Sequence, residues 1–135
     1  MIRSLLFGLL LACGLSSCSQ DVAPVAEAEY PAKIIGGWQG TVGDTRETIT
    51  FSADGRFVSE VRPRGFISNT LGQGVTGTIR GTWAITGKSM TLNISSAEDE
   101  HVLNRATTST IEAFKPDQLV VKSSTGETST FARLL

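Results

Sequence analysis

Val75-Thr76-Gly77-Thr78-Ile79-Arg80-Gly81-Thr82-Trp83-Ala84-Ile85 alternates without a break. Its odd positions are apolar or glycine, and its even positions are polar apart from Ala84. A period of two sends those sets to opposite faces of a strand, so the segment reads as a half-buried β-strand. Thr86-Gly87-Lys88 then turns the chain, and Met90, Leu92 and Ile94 alternate with Ser89, Thr91, Asn93 and Ser95. The pair is a predicted hairpin.

The same grammar extends both ways. Upstream, Ile49 and Phe51 alternate with Thr48 and Thr50, Ala53-Asp54-Gly55 supplies a tight turn, and Phe57 to Arg62 runs back. Downstream, a Thr-rich strand from about Val102 to Phe114 turns at Lys115-Pro116-Asp117 into Leu119-Val120-Val121. Ser124-Thr125-Gly126 turns it again into Glu127 to Arg133. With a first strand from Trp38 to about Val42 the count is eight, and no segment carries a helical period. An antiparallel meander of eight strands hides its edges by closing on itself, which predicts an all-β, up-and-down barrel over residues 34–135. A β-sandwich is the other architecture this pattern allows. Expected inward residues are Ile49, Phe51, Phe57, Ile79, Trp83, Met90, Leu92, Ile94, Leu119, Val121 and Phe131, with Gly77 and Gly81 on the same face.

Length and charge narrow the function. The chain has 135 residues, a formal net charge of -1 and 19% charged residues, which bounds it to one small domain. It has no basic footprint for nucleic acid and no run of twenty apolar residues to span a bilayer.

Residues 1–17 carry one early positive charge at Arg3, an apolar run from Leu5 to Leu11 broken only by Gly8, and then small residues. That is the layout of a secretory signal peptide. Leu15-Ser16-Ser17-Cys18 resembles the lipobox of bacterial lipoproteins, which implies cleavage before Cys18 and acylation of its thiol, by palmitate among other chains. Leu10-Leu11-Ala12-Cys13 is a second box, disfavoured because cleavage before Cys13 leaves the apolar segment short. Several acyl chains give stable anchoring where one does not. Ser19 stands where lipoproteins kept at an inner membrane carry Asp, so by resemblance this one is sorted to the outer membrane, facing the periplasm. Residues 18–33, with two prolines and no periodicity, are expected to be a flexible tether spanning roughly 20 Å.

Gly36-Gly37-Trp38 at the first strand resembles the Gly-x-Trp of lipocalins. Arg133 stands where lipocalins place an Arg that packs across that Trp. Phe51-Ser-Ala-Asp54-Gly55-Arg-Phe57, Gly81-Thr82-Trp83 and Phe131-Ala-Arg133 look like the small lipocalin-like domains of bacterial secreted proteins. The resemblance implies a barrel with Gly36, Trp38 and Arg133 as structural signature.

An eight-stranded barrel either fills itself or holds one small ligand. The connection Pro63 to Gly74 is long for a hairpin loop and carries Phe66, Ile67 and Leu71, with Arg62 and Arg64 beside them. It reads as a lid or docking loop whose arginines suit a carboxylate or phosphate, or as a cap on one barrel end. The candidate ligand residues are therefore Phe51, Phe57, Arg62, Arg64, Phe66, Ile67, Leu71 and Trp83. Gly77 and Gly81 either leave room for a ligand or relieve strand coiling. Glu98-Asp99-Glu100-His101 is the one cluster with metal-ligand types, and it lacks the oxygen spacing of a calcium loop and the His or Cys that zinc needs. Gly72-Gln-Gly74-Val-Thr-Gly77 matches a dinucleotide fingerprint only formally, without the strand before it or the helix after. No metal, cofactor or catalytic residue is expected. The sequence therefore reads as an envelope binder of a small apolar or amphipathic molecule, or as a filled barrel that engages or inhibits an envelope protein.

Overall fold

A computed structural model describes residues 22–42, 45–62, 65–71 and 76–135. The signal segment, Cys18 and Arg64 lie outside these residues. The strands are β1 (Gly36–Val42), β2 (Thr45–Phe51), β3 (Arg56–Val61), β4 (Gly77–Thr86), β5 (Ser89–Ser96), β6 (Ala106–Lys115), β7 (Gln118–Ser123) and β8 (Thr128–Arg133). Each pairs antiparallel with the next, and β8 returns to β1 through Trp38 opposite Arg133 and Gly40 opposite Phe131. The sheet is a closed barrel. Closure satisfies every edge, which a sandwich of the same strands would leave open.

The alternation read from sequence decides which side chains enter. Ile49, Phe51, Phe57, Ile79, Met90, Leu92, Ile94, Leu119, Val121 and Phe131 are all buried, and Trp38, Val61, Ile111 and Phe114 join them. At the β2–β3 turn Gly55 takes φ 86°, a conformation that favours glycine, while Asp54 accepts the Arg56 N–H at 3.1 Å. At Gly81 the register of β4 against β5 shifts. A Cβ there would lie 1.8 Å from the Asn93 carbonyl oxygen and 2.9 Å from the Phe57 ring, so Gly81 serves close approach at a bulge and opens no space for a ligand.

Four expectations are corrected. Residues 27–33 are not a loose tether: Glu27–Glu29 form a 3-10 turn and Tyr30–Lys33 a short helix, α1. The buried Tyr30 ring stacks on Phe114 at 5.1 Å and the Val25 N–H donates to the Phe114 carbonyl, so this segment closes the end of the barrel where β1 begins. Secondly, Phe66–Leu71 form a second short helix, α2, between β3 and β4 at the opposite end. Its period was invisible in sequence because one and a half turns are too few to repeat. Thirdly, β6 begins at Ala106, because Glu100–Val102 form a 3-10 turn whose start is capped by Asp99 accepting the His101 N–H.

Trp83 is the fourth. It keeps its inward phase but lies half-buried at the rim, with its indole N–H donating to Ser52 O at 3.1 Å and its ring edge-on to Phe51. Because much of its surface stays in water, Trp83→Ala is expected to cost about 1–2 kcal/mol, less than truncation of a fully buried aromatic. Urea unfolding with an unchanged slope checks it.

Candidate functional site

The two ends of the barrel are built differently. At the α1 end Trp38 is fully buried, donates its indole N–H to Ile34 O at 2.8 Å and meets Phe114 edge to face at 5.8 Å. The Arg133 guanidinium lies 4.2 Å from the Trp38 ring centroid. From there it donates to Pro116 O at 2.7 Å, to Ile35 O at 3.0 Å and to Lys33 O. One planar cation thus satisfies three carbonyls and covers the indole face, which a lysine's point charge does not reproduce. Arg133→Lys is expected to cost about 1–3 kcal/mol and to speed amide exchange at Ile34, whose N–H closes α1 onto Tyr30 O.

The α2 end is polar inside. Following each strand's inward phase toward that end leads from Phe51 and Ile49 to Glu47, from Phe57 to Ser59, from Ile111 to Ser109 and Thr107, from Val121 to Ser123, and from Phe131 to Ser129. All six of these polar side chains are buried. Ser59 donates to Thr48 O, and Ser123 is bonded to Thr125 and accepts the Glu127 N–H. Glu47 Oε1, Thr107 Oγ1 and Ser109 Oγ have no protein partner.

Helix α2 closes this end, packing on β3, β6 and β7. Phe66, Ile67 and Leu71 are buried, with Phe66 edge-on to Phe131 at 5.5 Å. Glu47 Oε2 accepts the Phe66 N–H at 2.5 Å, and Arg105 holds the far end of α2 by donating to Leu71 O at 3.2 Å. Gly65 crosses so close that a Cβ would stand 2.6 Å from Glu47 Oε2. Burial pushes the Glu47 carboxyl up to about 7, against the pull of the Phe66 and Ile67 N–H groups and the Arg62 charge.

The seven candidate ligand residues that the structure describes do not form one site. Phe51, Phe57 and Trp83 belong to the packed half nearer α1, while Phe66, Ile67 and Leu71 line the underside of α2. Arg62 is exposed on the rim and donates to Arg46 O at 3.3 Å. The residue sequence reasoning missed is Glu47, although its place two before Ile49 and four before Phe51 put it in the inward phase. Glu98 and Glu100 are exposed, and His101 pairs with Asp99 through Nδ1 at 3.0 Å, which with the His101 N–H holds the Asp99 carboxyl below its usual range. Among the described residues no three His, Cys, Asp or Glu side chains are grouped to hold a metal ion.

A solved structure of a lipocalin-like protein from Bacteroides uniformis superposes with a TM-score of 0.51 at 16% identity, over 76% of this chain and 99% of that one. The barrel is lipocalin-like in fold. No protein-family model and no curated protein matches the chain. At this identity the likeness is one of architecture, and it accounts for the closed eight-stranded meander rather than for the Glu47 niche.

Proposed function

We propose that this chain is a small-molecule carrier whose barrel takes up an amphipathic ligand at the α2 end, held at the cell envelope by lipidated Cys18. It is read as a binding protein and not an enzyme, with no cofactor. The observation that carries the reading is the inner layer of Glu47, Thr107 and Ser109, buried with unpartnered oxygens under a helix of six residues. Each such atom costs stability that an apolar side chain would not, and a barrel meant only to be filled has no use for them. Withdrawal of Phe66, Ile67 and Leu71 would vacate three large side chains directly above that layer. The membrane anchor, the outer-membrane address and the periplasmic orientation rest on the lipobox resemblance and Ser19.

Native mass spectrometry of the full chain purified from cells, compared with its denatured mass, tests the binding. A stoichiometric small molecule released on denaturation is the expected result. A mass free of ligand in every preparation removes the reading and favours the filled barrel, a protein-interaction or inhibitor module in the envelope, which the closed packing around Gly81 supports. The anchor is tested separately. Labelled palmitate should enter the wild type and Cys13→Ser and be lost in Cys18→Ser.

A further inference from the structure

We infer that the molecule taken up at the α2 end carries a protonated amine on an apolar body, and that Glu47 is the group that receives the amine. The inference rests on the binding reading above and adds the ligand's chemistry to it. In the closed barrel Glu47 Oε2 accepts the Phe66 N–H, and the neighbouring Ile67 N–H also favours its charge, so the backbone that eases this carboxylate is the backbone that must leave if the mouth opens. An ionised carboxylate only accepts hydrogen bonds, and stripped of its donors in a buried site it requires new ones. An ammonium supplies three donors and a compensating charge, and Oε1 is already without a partner.

A fatty acid or phosphate head placed there would set two anions against each other, so Glu47 selects against the ligands that an apolar barrel would otherwise accept. Arg62 also favours the charged form of Glu47, but it sits exposed on the rim and donates to Arg46 O. Beside the head, the Phe131 ring offers apolar wall, since Phe131 and Glu47 both stand opposite Gly40 in the strand register. Thr107 and Ser109 stand on β6, four strands around the ring of eight and so on the opposite wall, where their free oxygens suit a second polar atom on the ligand. With its carboxyl raised to about 7 by burial, Glu47 is ionised at pH 8 and able to pair with an amine there.

Three probes that differ only in their heads separate the possibilities: dodecylamine, dodecanol and dodecanoate, titrated calorimetrically into the full chain at pH 8, below micelle formation. Dodecylamine should bind at least tenfold more tightly than dodecanol, with dodecanoate weakest, and it should shift the Phe66 and Ile67 amide resonances. Glu47→Gln should bring amine and alcohol within about threefold of each other, because the amine loses its advantage. Equal affinities of the three for the wild type overturn the assignment of the head while leaving uptake at the α2 end standing. Failure of all three to bind overturns it too, and a ligand-free native mass then removes the binding reading with it.

Discussion

Trp38→Ala is expected to destabilise the protein by about 3–5 kcal/mol, the range for truncating a fully buried large aromatic whose surroundings cannot collapse. Collapse is blocked on every side. Trp38 sits in β1 between its partners Ile49 and Arg133, with Phe114 against its edge and Ile34 O on its indole N–H. Its removal also strips the Arg133 guanidinium of the ring it covers and leaves the Ile34 carbonyl without its donor. The same loss releases α1, so amide protection at Ile34 should fall before global unfolding. Thermal unfolding followed by circular dichroism should show a Tm lowered by about 10 °C or more. A change below about 1 kcal/mol would mean that the α1 end is not the rigid floor described here.

The second large effect is on pH dependence and runs through Glu47. Its folded pKa of about 7 exceeds the ordinary value of 4.5, so the folded chain binds this proton more tightly than the unfolded one. Stability contributed by the group is therefore complete below about pH 4.5 and is lost progressively as pH rises to about 7. The shift corresponds to about 3 kcal/mol. Glu47→Gln keeps an oxygen for the Phe66 N–H but cannot ionise. It should match the wild type near pH 4.5, lose the slope between pH 4.5 and 7, and be about 2–3 kcal/mol more stable at pH 8. Urea unfolding across that range checks it, and a wild-type slope retained in the variant would place the titration elsewhere.

Period-two alternation made most of the barrel legible. The phase of Ile79, Met90, Leu92, Ile94 and Phe131 follows from which neighbours are polar, and the turns at Asp54-Gly55 and Thr86-Gly87-Lys88 follow from local backbone preferences. Glu47, Ser59, Thr107 and Ser129 obey the same phase, yet their polarity made them look like outward residues. Period two groups residues by face but does not say which face is the inside where a polar side chain stands in the apolar row. The candidate ligand residues suffered the reverse error. Phe51 and Phe66 are both inward and aromatic, but closure sets them toward opposite ends of the barrel, one filling the floor and the other the mouth.

The sequence by itself determined the all-β class, the eight strands and the hairpin order, because these depend on local alternation, turn chemistry and the need to hide edges, while the packing of Arg133 on Trp38 was implied by the lipocalin resemblance alone. Only the tertiary structure decided that residues 27–33 fold back as a floor, that Phe66–Leu71 coil into a helical stopper, and that Glu47 is buried against that stopper's first amides. Those outcomes rest on contacts between residues far apart in the chain, where burial in a shared interior outweighs the weak local preference of a short or proline-containing segment.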